Sequence, residues 1–320
     1  MSDSAPPRAA ELPRRPSLRR GHPSASTRLD RFLRWRDAKL RAWERWRADP
    51  WVELVDPGHL SGAERAALLA RVQDANMVLY ACRRPGQVTP SCLQQLGAQL
   101  GLRRVDPTPY ADADGLSALR VGGGGEHEYI PYTDRRLSWH TDGYYNDPAH
   151  PVRAFVLHCA QAAAHGGESW LLDHELACLM LRDVDAGHLD ALAQPDAMTI
   201  PANVRDGLEL RPERRGPVLS SDPHSGRLHM RYTARKRFVI WSPRPEVQAA
   251  AACLDELLSA SSSFVLRHRL EAGEGLVCNN VLHARSAFCD DRDSGSSRLV
   301  YRARYLEPVA AATPAMALAS

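Results

Sequence analysis

Short apolar runs separated by turn residues dominate the sequence after residue 137. Typical examples are RAFVLHCAQ, ESWLLDH, GLVCNN and SRLVYRARYLE. Runs of this length and composition predict β-strands, and helical spacing interrupts them only near residues 175–193 and 244–260. Many short strands with turns between them favour a β-sandwich or a jelly roll over a doubly wound parallel sheet.

Before that region the pattern is mainly helical. Apolar residues from Leu29 to Trp43 recur at helical spacing after Thr27, which is suited to an N-cap, so we predict an amphipathic helix. Its tryptophan-bearing face should pack on the body of the protein or on a partner subunit. Two further helical patterns cover residues 62–82 and 90–102. The run VGGGGEHEYI then breaks the chain; it lacks the Lys-Ser or Lys-Thr of a phosphate-binding loop, and we expect a loop over a site.

These patterns divide the chain into four parts. Residues 1–25 are rich in Pro, Ser, Ala and Arg without periodicity, which predicts a disordered basic tail. We expect residues 26–134 to form a helical portion that packs, with the glycine-rich loop, on a β-rich core at residues 135–310. Residues 311–320 should form a flexible C-terminal tail. The predicted fold class is therefore α+β, mainly β, with helices flanking the core.

Composition restricts the class of protein and its surroundings. Hydrophobic residues make up 44% and charged residues 25% of the chain, as in ordinary globular proteins, and no apolar run approaches the roughly 18 residues of a membrane span. The seven cysteines are scattered and contain no Cys-x-x-Cys pair, which favours a reducing cytoplasm over a disulfide framework. Residues 1–50 hold 13 Lys and Arg against 6 Asp and Glu. This basic leader could contact nucleic acid, but a solvated tail is the favoured interpretation.

The stretch RRLSWHTDGYYN carries the first candidate chemistry. His140 and Asp142 lie two residues apart, and on an extended strand side chains at that spacing point to the same face and can converge on a metal ion. His283, at the end of the apolar strand in GEGLVCNNVLHARSAF, offers a third ligand. Two imidazoles and one carboxylate form the ligand set of non-haem Fe(II) oxygenases, whereas a structural zinc site is usually closed by four ligands.

Spacing alone does not identify such a site, as a second pair shows. His188 and Asp190 are also two residues apart, in AGHLDAL, but they lie in a helical pattern in which positions i and i+2 diverge. We therefore interpret that pair as a solvated helix face. For the pair in WHTD, spacing alone leaves two interpretations open: His140 binds a metal, or it is a buried histidine hydrogen-bonded within the core.

The context resembles the taurine/2-oxoglutarate dioxygenase family, the TauD/TfdA-like oxygenases. Separate blocks match in order and spacing: WHTD at 139–142, GGES at 166–169, and NNVLHARSAF at 279–288 followed by RLVYRARYLE at 298–307. The resemblance implies a double-stranded β-helix, or jelly roll, with flanking helices. It also implies Fe(II) as the metal, with 2-oxoglutarate and O₂ as co-substrates.

By the same resemblance, His140, Asp142 and His283 bind the iron, and Arg298 binds the distal carboxylate of 2-oxoglutarate. The chemistry supports Arg298 independently, because a planar guanidinium stays charged and can form two hydrogen bonds to a carboxylate. The competing interpretation for Arg298 is a surface cation at the end of a strand. In the related halogenases a small residue replaces the carboxylate of Asp142, so hydroxylation or oxidative cleavage is favoured here over chlorination.

Four further residues complete the predicted site. Ser169 stands where the family often has a Thr that bonds the same carboxylate. Arg302, four residues after Arg298, faces the co-substrate or an anionic substrate, or forms an ion pair on the inner face of the strand. Tyr145 lines the substrate side unless it is a core residue. Arg136 stands where a taurine enzyme has an amide, so taurine is not implied as the substrate.

The resulting hypothesis is an Fe(II)/2-oxoglutarate-dependent dioxygenase. It would hydroxylate or oxidatively cleave a small organic substrate, with an anionic molecule as one candidate, and release succinate and CO₂. Two alternatives stay open: an oxygenase acting on an amino acid tethered to a carrier or another protein, docked through the leader helix, and a non-catalytic jelly-roll binding module. We expect a small-molecule substrate, no membrane association and no nucleic-acid partner, with a homo-oligomer as an open option.

Overall fold

The computed structural model describes residues 25–106, 115–121, 130–222, 226–291 and 297–309. Almost all of the predicted basic tail, most of the glycine-rich loop and the predicted C-terminal tail lie outside these ranges. In the ranges that are described, no helix is long and apolar enough to cross a membrane.

The predicted helical regions near the N-terminus and in the middle of the chain are helical in the structure. The first helix begins at Ala25, so Thr27 lies inside it instead of capping it. The helices are α1 (Ala25–Ala48), α2 (Gly62–Ala75), α3 (Pro90–Gln99), α4 (His174–Val184), α5 (Gly187–Leu192) and α6 (Pro245–Ser259).

Short strands account for the apolar runs, as the sequence predicts. The strands are β1 (Trp51–Leu54), β2 (Met77–Cys82), β3 (Leu116–Leu119), β4 (Leu137–His140), β5 (Ala154–Gln161), β6 (His165–Gly166), β7 (Ser169–Leu172), β8 (Met198–Ile200), β9 (Asn203–Arg205), β10 (Leu208–Arg211), β11 (Arg214–Gly216), β12 (Leu219–Ser221), β13 (Leu228–Met230), β14 (Ile240–Trp241), β15 (Leu266–His268), β16 (Glu274–Cys278), β17 (Leu282–Arg285), β18 (Phe288–Cys289) and β19 (Leu299–Tyr305).

One predicted helix is wrong in its second half. The pattern over residues 62–82 suggested a continuous helix, but α2 ends at Ala75 and residues 77–82 form β2. Asn76 ends the helix because it adopts a left-handed conformation, with φ of 57°, and its N–H bonds to the carbonyl of Val72. Strand β2 is almost entirely buried, and a strand buried on both faces reads as a continuous apolar run that periodicity cannot distinguish from a helix.

Two larger sheets organise the chain. One has six strands in the order β1-β2-β16-β5-β19-β3, and the other has four in the order β15-β7-β17-β4. Small two- and three-stranded sheets lie outside them. The fold is therefore mixed α and β with strands more numerous than helices, which confirms the coarse fold class predicted from the sequence.

Helix α1 packs on the body of the same chain through its tryptophans. Trp43 and Trp46 are buried and stack with ring centroids 5.0 Å apart. The indole Nε1 of Trp46 donates to the carbonyl of Met77 at 2.7 Å, and the ring of Trp43 meets Phe264 edge-on at 6.0 Å. Burial of the two rings, together with the hydrogen bond from Trp46, joins this helix to the start of β2.

A buried ion pair also ties α1 to the start of α4. The Lys39 ammonium contacts Oδ2 of Asp173, lies 2.6 Å from Oε2 of Glu175, and donates to the carbonyl of Asp74 at 3.1 Å. Burial alone would lower the pKa of Lys39, but the charges of Asp173 and Glu175 raise it above its ordinary value. Asp173 also accepts a hydrogen bond from Asn76 at 3.0 Å. The two carboxylates are stabilised in the interior only while the ammonium is present.

Replacing Lys39 by Met should therefore leave two buried carboxylates without their cation. We expect the free energy of unfolding, measured by urea denaturation, to fall by about 3–5 kcal/mol. Lys236→Met is the matched control, because Lys236 is exposed and lies 3.4 Å from Asp255 at the surface; its effect should stay below about 0.5 kcal/mol. Equal, small effects of the two substitutions would contradict this interpretation of Lys39.

Candidate metal site

Strands β4 and β17 lie side by side, and their antiparallel register places His140 opposite His283. The two imidazole centroids are 4.1 Å apart. The Nε2 atoms of His140 and His283 lie 3.6 and 3.8 Å from Oδ1 of Asp142. Within the described part of the chain, these three residues form the group whose ligand atoms are close enough to share one metal ion, all within 4.8 Å of one another.

In each of the two imidazoles, a hydrogen bond to Nδ1 decides which nitrogen is available to bind a metal. Nδ1 of His140 lies 2.9 Å from the carbonyl of Ser138, and Nδ1 of His283 lies 2.9 Å from the carbonyl of Val281. A carbonyl only accepts, so each Nδ1 carries a hydrogen, and Nε2 is the ring nitrogen left to face a metal. Burial and the neighbouring His140 lower the pKa of His283 to about 3, so that ring is neutral near pH 7.

Asp142 is not oriented toward the site by strand periodicity, although its two-residue spacing from His140 suggested this. Strand β4 ends at His140, so Asp142 lies in the following turn and strand periodicity does not orient it. Instead, the side chain of Asn280 accepts a hydrogen bond from the Asp142 N–H at 2.8 Å and donates to the Asp142 carbonyl at 2.9 Å. Asn280 also donates to the carbonyl of Val152 at 2.6 Å and has a left-handed φ of 49°.

Asn280 is not among the predicted site residues, although it lies in the block NNVLHARSAF that resembles the dioxygenase family. The available signal was an Asn beside a turn, because Asn tolerates the left-handed conformation better than most residues. What the sequence does not show is that this amide clamps a backbone segment 138 residues away. Asn280 is buried, so each of its hydrogen bonds replaces one that water would otherwise provide.

The carboxylate of Asp142 is held in its charged form by arginine. Nη1 of Arg302 lies 3.2 Å from both carboxylate oxygens. Burial alone would raise the pKa of Asp142, but the Arg302 charge, followed by contacts from His140 and His283, holds it well below its ordinary value. Of the alternatives for Arg302, the ion pair on the inner face of the strand is the one this geometry displays; its contact with the co-substrate stays a prediction.

The donor set suits a divalent ion of intermediate hardness. It offers two neutral imidazole nitrogens and one carboxylate oxygen on one side, and no thiolate belongs to it. Such a facial arrangement with open positions matches non-haem Fe(II) better than a closed structural zinc site. The orienting hydrogen bonds from Ser138, Val281 and Asn280 are the kind that prepare ligands before a metal binds.

The site opens on a cavity between the two larger sheets. Asp142 and His283 line it together with Ser169 and three arginines, Arg285, Arg298 and Arg302. Its apolar lining residues are Leu119, Pro131, Leu137, Phe155, Leu157, Leu171, Ala284 and Val300. The cavity therefore combines a metal-binding corner, a cationic region and an apolar wall in one small space.

Arg298 is buried rather than exposed, which excludes the surface-cation interpretation. Its side chain is 8% accessible, and its guanidinium lies 5.0 Å from the ring centroid of Phe288. Nη1 is buried without a hydrogen-bond partner in the part of the chain that the structure describes. A buried guanidinium with a spare donor that lines a cavity is prepared to receive an anion.

The two predicted substrate residues lie apart from this cavity. The phenolic oxygen of Tyr145 accepts a hydrogen bond from Arg304 at 2.8 Å, and Arg304 pairs with Asp106 at 2.6 Å. Arg136 is exposed and its guanidinium lies 5.2 Å from the ring centroid of Trp170. Neither Tyr145 nor Arg136 is among the residues that line the cavity, and their substrate roles stay predictions.

Tyr144, which the sequence analysis did not select, stands edge-on to the first ligand. Its ring centroid lies 6.4 Å from that of His140 and 5.2 Å from that of Tyr145. Burial raises the pKa of Tyr144, so its hydroxyl stays protonated near pH 7.

The second His-x-Asp pair behaves as predicted in one respect and differs in another. His188 and Asp190 lie on α5, and their side chains diverge as helical spacing requires. His188, however, is buried at 9% accessibility while Asp190 is exposed. The prediction of a wholly solvated face was wrong, because the imidazole lies on the side of this short helix that packs against the core.

A family model supports this geometry. The model described as "Taurine catabolism dioxygenase TauD, TfdA family" matches residues 79–304. The match covers most of the chain, including all three candidate ligands and the arginines of the cavity. The protein belongs to this family.

Individual relatives agree with that assignment. A uridine-5'-phosphate dioxygenase from an Amycolatopsis species is 30% identical over 173 residues, which cover 53% of this chain. The matched region spans only 60% of the length of that curated relative.

Solved structures share the fold at low sequence identity. An asparagine oxygenase in complex with Fe(II), 2S,3S-3-hydroxyasparagine and succinate is 16% identical, with a TM-score of 0.56 and coverage of 84% of this chain and 83% of that chain. A taurine dioxygenase from Burkholderia xenovorans is 18% identical, with a TM-score of 0.53 and coverage of 80% and 86%. The non-heme iron oxygenase OrfP, in complex with Fe and alpha-ketoglutaric acid, is 17% identical, with a TM-score of 0.53 and coverage of 78% and 81%.

If Asn280 positions Asp142, removing its amide should weaken metal binding. We expect Asn280→Ala to raise the dissociation constant for Co(II), measured by calorimetry, by about tenfold or more, as is typical for residues that orient metal ligands. The adjacent Asn279→Ala is the control: Asn279 is also buried, but it bonds to Asn76 and Val309 instead. The two variants should differ in Co(II) affinity; equal affinities would show that Asn280 does not orient the ligand.

Proposed function

We propose that the protein is an Fe(II)/2-oxoglutarate-dependent dioxygenase that hydroxylates or oxidatively cleaves a small organic molecule. The observation that carries this proposal is a single cavity that joins the His140, Asp142 and His283 cluster to the unpaired guanidinium of Arg298. A metal-binding corner alone would fit many enzymes. The added cation at the far side fits a metal-chelating keto acid that carries a second carboxylate.

We assign the two larger sheets to a double-stranded β-helix, or jelly roll. Two features support this assignment: the ligands lie on adjacent strands of the four-stranded sheet, and Arg302 reaches them from β19 of the six-stranded sheet. The fold-level similarity to solved oxygenases points the same way. In this assignment residues 135–310 form most of the catalytic core. Strands β1, β2 and β3 complete its six-stranded sheet, and α1 to α3 pack around it.

Each predicted residue then has a defined task. His140, Asp142 and His283 would hold Fe(II) through two Nε2 atoms and one carboxylate. Arg298 would bind the distal carboxylate of 2-oxoglutarate, with the Ser169 hydroxyl beside it as a further donor.

The chain also controls what surrounds the reaction. Fe(II), 2-oxoglutarate and O₂ together would supply the oxidation, in which one oxygen atom enters succinate, CO₂ is released and the other oxygen atom enters the substrate. Phe155, Leu157 and Leu171 give the cavity an apolar wall that limits water and strengthens the charge interactions inside it. Arg302 keeps Asp142 charged, so the ligand set carries one negative charge before the metal binds.

The proposed substrate is a small polar organic molecule, with an anionic one as the first class to test. The curated relative is named for a nucleotide, and the solved neighbours include enzymes named for asparagine and taurine. Arg211, whose guanidinium lies 5.8 Å from the ring centroid of Tyr145, is a candidate cation near the tyrosine pair.

The direct test of activity is succinate formation from 2-oxoglutarate in the presence of Fe(II) and O₂, first without any added substrate. His140→Ala, Asp142→Ala and His283→Ala should each abolish it, because each removes one of three ligands. His150→Ala, at an exposed position outside the cluster, should leave the rate within about twofold, a barrier change of roughly 0.4 kcal/mol. Succinate formation that survives loss of His283 would exclude this ligand assignment, and none in the wild type would favour the binding module.

Arg298→Lys should weaken 2-oxoglutarate binding by about tenfold or more, because Lys keeps the charge but loses one charge-assisted hydrogen bond worth roughly 1.5–3 kcal/mol. Calorimetry with Co(II)-loaded protein measures this affinity without turnover. Arg269→Lys is the control, since Arg269 donates to the carbonyls of Ala163 and Ala164 and does not line the cavity. Unchanged affinity in Arg298→Lys would place the anchor elsewhere.

A further inference from the structure

Arg285 lines the same cavity and has no role in the sequence analysis or in the proposed mechanism so far. It lies on β17 two residues after His283, and its side chain is buried at 5% accessibility. Among the described residues, its guanidinium donates to the backbone carbonyls of Thr133 and Arg135 at 2.7 Å each and of Pro131 at 3.4 Å. Nε is buried without a partner among the described residues.

A second cation lies close to Arg285 inside this cavity. The guanidinium groups of Arg285 and Arg298 lie 4.8 and 5.0 Å from the ring centroid of the same Phe288. Each guanidinium retains one buried N–H group with no hydrogen-bond acceptor in the described ranges.

Two buried like charges that share one cavity are unfavourable unless an anion joins them. Removing each charge from water is unfavourable, and the repulsion between the two charges adds to that cost. An anion placed between the two groups would offset both terms and would accept hydrogen bonds from the unpaired donors.

Hydrogen bonds from a buried arginine to backbone carbonyls do not by themselves mark an anion site, as Arg231 shows. It too is buried, donates to the carbonyls of Met198 and Gly216 at 2.6 and 3.4 Å, and has an unpaired Nε. Arg231 does not line the cavity. What distinguishes Arg285 is the open space before it and the neighbouring Arg298.

We propose that Arg285 is a second cation for the distal carboxylate of the co-substrate, and that it links this carboxylate to the segment that enters β4. The proposal rests on the proposed function. The carbonyls of Pro131, Thr133 and Arg135 belong to residues 130–136, directly before the strand that carries His140. Arg285 is thus a positioning residue: anion binding at one side of its guanidinium orders the segment bound at the other side.

The test compares four proteins by calorimetry with 2-oxoglutarate after loading with Co(II): wild type, Arg285→Gln, Arg285→Lys and the matched control Arg231→Lys. We expect the dissociation constant to rise about tenfold or more in Arg285→Gln, which removes a charge near a buried carboxylate. The rise should be about threefold in Arg285→Lys, which keeps the charge, and the control should stay within about twofold, as expected away from the site. Co(II) affinity itself should not change in any of them.

Hydrogen exchange distinguishes ligand-dependent positioning by Arg285 from a merely structural role of this residue. In the wild type, 2-oxoglutarate should slow exchange of the amides in residues 130–136; in Arg285→Gln the same degree of saturation should leave their exchange unchanged. If Arg285→Gln does not fold, the graded affinity and exchange of Arg285→Lys decide the question.

Two results would overturn the proposal. The first is wild-type 2-oxoglutarate affinity in both Arg285 variants while Arg298→Lys binds weakly, which would leave Arg298 as the sole anchor. The second is ligand-induced protection of residues 130–136 that is the same in Arg285→Gln as in the wild type at equal saturation. Failure of the wild type to bind 2-oxoglutarate at all is distinguishable from both, because it contradicts the proposed function itself.

Discussion

The antiparallel pairing of β4 with β17 is the constraint on which the site depends. It places His140 opposite His283, so two imidazoles from distant parts of the sequence share one face without any loop having to hold them there. The turn between β16 and β17 then brings Asn280 to the backbone of Asp142. The strand pairing and the side-chain amide of Asn280 thus orient the candidate ligands before a metal binds.

Charge balance in the interior is the second organising principle. The positive charges of the cavity fall into two groups: Arg302 is paired with Asp142, whereas Arg298 and Arg285 are buried without an ion pair to any described carboxylate. The first group holds the Asp142 carboxylate in its charged form. The second leaves a positive region, influenced by the more distant Asp134 and Asp290, at which the proposed dicarboxylate would bind.

The sequence predicted those features that local patterns or recognised blocks encode. The strand runs and the helices near residues 175–193 and 244–260 appear as expected, and the three predicted ligands lie close together, although their metal-binding role stays a prediction. Local patterns could not separate α2 from β2, because a fully buried strand has no polar face to interrupt its apolar run. They could not reveal Asn280 or Arg285 either, since the hydrogen-bond partners of both residues lie 128 or more positions away. His188 was misread for the same reason: burial of a short helix depends on what packs against it.

The central claim is that one cavity holds a metal-chelated 2-oxoglutarate, and anaerobic absorption spectroscopy tests it most directly. Fe(II) is added to the protein first, and 2-oxoglutarate is then titrated while the visible spectrum is recorded. A chelated keto acid should produce a charge-transfer band that saturates at one equivalent, and succinate, which lacks the keto group, should produce none. Saturable Fe(II) binding with no band on adding 2-oxoglutarate, or an unchanged band in His283→Ala, would contradict the account.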